Sequence, residues 1–154
     1  MTFKVLILNG PNLNLLGLRE PEIYGRETLD NIASRCRDAG KKLGLSVDFR
    51  QSNHEGQLVE WLHEAREIAQ AVVINAAAYT HTSVAIHDAL RAYDGHKTEL
   101  HISNPHLRES FRHVSYVAPA VDAIVAGLGV DGYVYVLESL ALVLPKYGAT
   151  EATT

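Results

Sequence analysis

Two short runs, "VLIL" (5–8) and "AVVI" (71–74), are apolar without alternation. That pattern suits strands buried on both faces, as in a parallel sheet covered by helices, and it excludes a half-solvated antiparallel sheet for this part of the chain. Between such runs the hydrophobic period lengthens to that of a helix. Strands are predicted over 3–9, 45–51, 71–75, 98–103 and 122–127, and helices over about 28–43, 56–69, 82–93 and 132–144. The order is an alternation of β and α, so the expected architecture is α/β: a doubly wound five-stranded parallel sheet, flavodoxin-like, in one domain over 1–147. The closing "GATEATT" (148–154) is expected to be a disordered tail. With 154 residues the chain is about one domain long.

Charge and motifs narrow the function. A formal charge of -4 argues against a broad nucleic-acid footprint. The single cysteine, Cys36, cannot form an internal disulfide, and Met1 leads directly into a strand rather than into a signal peptide, which points to the cytoplasm. No apolar run approaches the roughly 20 residues of a membrane helix. GxxxxGK[ST], HExxH, CxxC and GxSxG are absent, so a P-loop, a metalloprotease-type metal site or a nucleophile elbow is not indicated. "GLGVDG" (127–132) matches GxGxxG, but only one helix and a tail follow it; a dinucleotide site needs a further strand with an acidic residue about 20 positions on. It reads as a tight strand-to-helix turn. His81 and His87, six apart on one expected helix, do not share a face for a metal. The five lysines (4, 41, 42, 97, 146) include none in a loop after a strand end, so Schiff-base chemistry has no candidate.

In doubly wound sheets ligands bind beyond the carboxyl ends of the strands, and those loops hold the polar residues here. "NGPNLNLLGLREPEIYG" (9–25) is far longer than the roughly 2 to 6 residues of an ordinary βα connection. It carries Arg19 and Tyr24 between Gly17 and Gly25. An ordinary tyrosine, with a pKa near 10, is only about one part in a thousand ionised at neutral pH, and making it a phenolate there takes roughly 4 kcal/mol. A nearby guanidinium is the simplest source of that stabilisation. The plainer reading is a solvated Arg19 and a packing Tyr24.

Glu99 and His101, two apart on the fourth strand, point to one face. A carboxylate beside an imidazole orients it as a general acid requires, although a strand Glu-x-His is also a common structural pair. The following Ile102, Ser103 and Asn104 offer backbone N–H groups and a hydroxyl as a carboxylate cradle. Arg112 could add a charged donor; Arg108 could equally be a surface charge. Asn75, closing the third strand, suits either a hydroxylated ligand or a cap. His81, at the expected start of the third helix, faces the site. Asp88, further along and off the apolar stripe of Ile86, Leu90 and Tyr93, is either solvated or presented to a neighbouring subunit.

With "LNGPNLNLLGLREPEIYG", "NHEG", "INAAAYTHTSVAIHDAL", "ELHISN", "RESFRH" and "GLGVDGY" in this order over about 5–145, the sequence resembles the type II 3-dehydroquinate dehydratases. The resemblance implies a lyase that removes water from 3-dehydroquinate to give 3-dehydroshikimate, by anti elimination through an enolate. No metal, cofactor or Schiff base is implied, and the step serves both aromatic biosynthesis and quinate breakdown. By position it makes Tyr24 the base, as a tyrosinate activated by Arg19, and His101 the acid, oriented by Glu99. Asn12 would hold a water at the enolate oxygen. Asn75, His81, Ile102, Ser103 and Arg112 would bind the substrate, and Asp88 would reach the site of an adjacent subunit in a dodecamer of trimers. One departure is visible: Ala77 stands where many of the family have Gly, with at most a slight effect expected. The segment 17–25 would be a lid, the least ordered part of the unliganded protein besides the tail. The competing class is a non-enzymatic flavodoxin-like binding module, for which a flavin phosphate loop or a cluster of acids after the first strand would be expected.

Overall fold

The computed structural model describes residues 2–18, 20–24 and 26–151, and of Tyr24 and residues 148–151 the backbone alone. Five parallel strands, β1 (Phe3–Asn9), β2 (Leu45–Gln51), β3 (Ala71–Asn75), β4 (His96–His101) and β5 (Ala123–Ala126), form one sheet in the order β2-β1-β3-β4-β5. This is the expected doubly wound α/β sheet. Its strand order reverses between β1 and β3, where a crevice opens at the carboxyl ends of the strands.

The unalternating apolar runs divide between two cores. Val5, Ile7, Ala71 and Val73 face α2 (Leu29–Leu43) and α5 (Asp131–Glu151). Leu6, Leu8, Val72 and Ile74 face α3 (Glu55–Ile68) and α4 (Val84–Arg91). A four-residue helix, α1 (Pro21–Tyr24), precedes α2.

The last row of the sheet is polar. Asn9 pairs in register with Gln51 on one side and Asn75 on the other, directly above four wholly buried apolar residues of β1. A buried polar row needs internal partners, and Tyr133 on α5 supplies one: its hydroxyl donates to Asn9 Oδ1 at 2.7 Å and accepts from Asn75 Nδ2 at 3.1 Å. Burial pushes the Tyr133 phenol well above the ordinary tyrosine range, so it stays neutral and can keep donating.

Several boundaries differ from expectation, three of them for an identifiable local reason. Helix α4 begins at Val84, not Thr82, because the Ser83 hydroxyl caps it by accepting from Ile86 N at 2.9 Å. His81 therefore lies on a preceding 3-10 turn (Ala77–His81) and not on the helix with His87 and Asp88. Strand β4 ends at His101 rather than 103, since the Ile102 carbonyl is turned to accept from Gly129 N at 3.0 Å. Helix α5 passes through Pro145 to Glu151 and takes in the first residues assigned to a tail. Beyond the proline, the Tyr147 ring packs edge-on against His96, with centroids 5.7 Å apart. Residues 152–154 lie outside the described ones. Among the described residues no helix is long and apolar enough to cross a membrane.

Candidate active site

A cavity of ≈ 150 Å³ opens at the carboxyl ends of β1, β3 and β4. Ligand sites commonly run to roughly 300–1,000 Å³, so this one suits a compact molecule better than a flavin or dinucleotide. Asn12, Asn75, His81, His101, Ile102, Ser103 and Arg112 all line it.

The loop after β1 enters the site through Asn12, whose backbone is left-handed at φ 69°. Asparagine tolerates that region better than most residues, and the conformation is held from outside: Asn12 N donates to Asn53 Oδ1 at 3.0 Å. Gln51 Nε2 reaches the same oxygen at 3.1 Å, and the Tyr79 hydroxyl donates to the Asn53 carbonyl at 2.7 Å.

Five residues on, Gly17 has φ 85°, and a Cβ there would lie 2.8 Å from the Arg26 carbonyl oxygen. The chain beyond Gly17 thus returns through a narrow neck. Arg35 ties the return down by pairing with Glu27 at 2.8 Å and with Asp131, at the start of α5, at 2.6 Å. Of the residues between, Arg19, Gly25 and the Tyr24 side chain lie outside the described ones, so the expected base, its partner and the lid ordering are not placed.

At the end of β4 the period of two places Glu99 and His101 together, with His101 Nε2 3.0 Å from Glu99 Oε2. A carboxylate only accepts, so Nε2 carries a hydrogen and Nδ1 is the other ring nitrogen available to a ligand. The Glu99 side chain is 3% exposed and His101 11%; His101 is the face that the pair shows to the cavity. Ser115, for which the sequence offered no signal, donates to Glu99 at 2.8 and 3.1 Å.

His81 Nδ1 donates to the Val114 carbonyl at 2.7 Å, which leaves Nε2 as an acceptor when the ring is neutral. Burial lowers the His81 pKa, helped by the charges of His101 and Arg112 and opposed by the Val114 bond and Glu99. Asn75 is 4% exposed and spends one N–H on Tyr133 and one oxygen lone pair on Ala77 N, at 3.2 Å. A second N–H and a second lone pair remain for a ligand. Arg112 is oriented by Glu109 through Nε and lies over the Phe111 ring, 5.0 Å from its centroid. Arg108 also lines the cavity, which makes its rim cationic. Asp88 does not line it; it is exposed on α4.

A small cationic cavity at the topological switch point, with a carboxylate–imidazole pair in its wall, is equipped for proton transfer on an anionic substrate. The model of the dehydroquinase class II family matches residues 3–141. The chain belongs to this family. A 3-dehydroquinate dehydratase of Rhizobium johnstonii is 58% identical over 140 residues, covering 91% of this chain and 97% of that protein. The crystal structure of the type II dehydroquinase from Propionibacterium acnes superposes with a TM-score of 0.88 at 45% identity, covering 92% of this chain and 98% of the other. That from Butyrivibrio crossotus gives the same TM-score at 40% identity, covering 90% and 97%. Within the chain "GLGVDG" is a turn: Gly127 N and Gly129 N donate to the His101 and Ile102 carbonyls at 3.3 and 3.0 Å. It braces the end of β4 behind the His101 side chain. Among the described residues no group of His, Cys, Asp and Glu could hold a metal ion.

Proposed function

We propose that the protein dehydrates 3-dehydroquinate to 3-dehydroshikimate by anti elimination through an enolate, with Tyr24 as base and His101 as acid. The observation that carries the reading is the Glu99–His101 pair, 3.0 Å apart and presented by His101 to the cavity. The Tyr24 phenolate, stabilised by Arg19, removes a proton from the carbon next to the ketone. The freed electron pair forms the enolate, whose oxygen a water held by Asn12 stabilises. When the ketone re-forms, the pair moves into the new C=C bond, the C–O bond breaks, and the departing hydroxyl takes a proton from His101 and leaves as water. The products are the enone and one water, and no electrons are exchanged with a cofactor.

The cationic rim supports binding of the substrate carboxylate by Arg112 and the Ile102–Ser103 backbone and hydroxyl, and hydroxyl groups fall to Asn75 and to Nε2 of His81. Asp88, exposed on α4, reaches the site of an adjacent subunit in a dodecamer of trimers; light scattering at the dodecamer mass is the expected result, and a stable monomer at assay concentration contradicts it.

Purified protein mixed with 3-dehydroquinate should produce the absorbance of a conjugated enone. Borohydride added with substrate should leave the rate intact. No enone, or borohydride inactivation through a lysine imine, contradicts the proposal.

A further inference from the structure

The Glu99 side chain is buried, and a carboxylate in such a place orients its neighbour only if it is itself held. Its oxygens meet His101 on one side and Ser115 on the other. The Ser115 oxygen also accepts from Val117 N at 3.2 Å and Ala118 N at 2.9 Å. Both lone pairs are thus occupied, and the single hydroxyl hydrogen is directed at the carboxylate.

Ser115 sits in a strap fixed on either side of it. The preceding carbonyl, Val114 O, accepts from His81 Nδ1 at 2.7 Å. The following residue, Tyr116, donates its N–H to Thr80 O at 2.8 Å and accepts from His87 Nδ1 at 2.7 Å. Three consecutive residues therefore hold the substrate-facing His81, the acid's carboxylate and, through Thr80 and His87, the 3-10 turn before α4 and the middle of that helix.

We propose that Ser115 is a positioning residue for the acid: it fixes Glu99, which fixes His101. The inference rests on the dehydratase reading and deepens it. Because Ser115 also caps the turn at Val117 and Ala118, a loss of stability alone would not distinguish the two roles; coupling to Glu99 does.

The test is a kinetic cycle on the full-length protein with Ser115→Ala, Ser115→Thr, Glu99→Gln and Ser115→Ala/Glu99→Gln, read by enone absorbance. Ser115→Ala is expected to lower kcat roughly 10- to 100-fold, with KM changed by no more than about twofold. Ser115→Thr, which keeps the hydroxyl, should recover most of the rate. In the Glu99→Gln background Ser115→Ala should cost no more than about a further twofold. If Ser115→Ala does not fold, Ser115→Cys, a weak donor of similar reach, takes its place in the cycle. Unchanged kcat, or losses that multiply in full in the double variant, overturns the inference while native activity upholds the dehydratase reading. No enone from the native protein overturns that reading and the inference together.

Discussion

The Tyr133 hydroxyl donates to Asn9 Oδ1 at 2.7 Å across 124 residues of sequence and joins helix α5 to the polar end row of the sheet. The Tyr133 hydroxyl oxygen also accepts from Asn75 Nδ2, so a helix on one face sets the amide that lines the cavity. Tyr133→Phe leaves both amides short of a buried partner. It should destabilise the protein by about 2–6 kcal/mol, at roughly 1–3 kcal/mol for each of the two unsatisfied buried groups. Urea unfolding measures this, together with a raised KM as Asn75 loses its orientation; a variant as stable as the parent would contradict the network's role.

Ala77 has φ 54° and lines the cavity, in the left-handed region that costs a non-glycine residue about 1–2 kcal/mol. A backbone in that region is one that glycine adopts without strain. Ala77→Gly should stabilise by about 0.5–1 kcal/mol, the relieved strain less the entropy that glycine loses on folding. Equal or lower stability would show that the Asn75 Oδ1 bond to Ala77 N already offsets the strain.

The legible parts of this protein were those governed by short-range periodicity. The runs 5–8 and 71–74 announced buried parallel strands, and the spacing of Glu99 and His101 announced their contact, because neighbours on a strand face are fixed by a period of two. His81 was misplaced onto a helix because the Ser83 cap, one residue of local chemistry, decides where α4 begins. The roles of Ser115, Tyr133 and Asn53 were not legible because each acts on a residue far along the chain, through contacts that only the assembled sheet creates. Asn75 illustrates the mixture: its place at a strand end was readable, its bond to Tyr133 was not.

Stability should fall on mild acidification. Burial lowers the pKa of His96, opposed by Asp122 and assisted by Lys97, and the buried Nδ1 has no hydrogen-bond partner among the described residues. Burial lowers that of His81 as well. The unfolded chain binds protons at these residues near pH 6.5 that the folded protein resists, so the contribution is complete above that pH and is lost as pH falls through the lower folded values. Tm should be lower at about pH 5 than at about pH 7.5, and His96→Phe, which keeps a ring against Tyr147, should flatten the difference. An unaltered pH dependence in His96→Phe would rule out His96 as a source.

Arg112 is held by Glu109 on the cavity rim. The proposed function makes Arg112 a donor to the substrate carboxylate; a charged hydrogen bond of that kind contributes about 1.5–3 kcal/mol, so on that reading Arg112→Gln should raise KM roughly 10- to 100-fold. A change confined to kcat would place the carboxylate elsewhere.

The central claim, proton abstraction by Tyr24 with protonation by His101, is tested most directly by the kcat of Tyr24→Phe and His101→Ala in the enone assay. Each should fall by roughly 10²–10⁴-fold, the usual contribution of a positioned acid or base, in proteins that unfold at the parent temperature. Full kcat in Tyr24→Phe would contradict it.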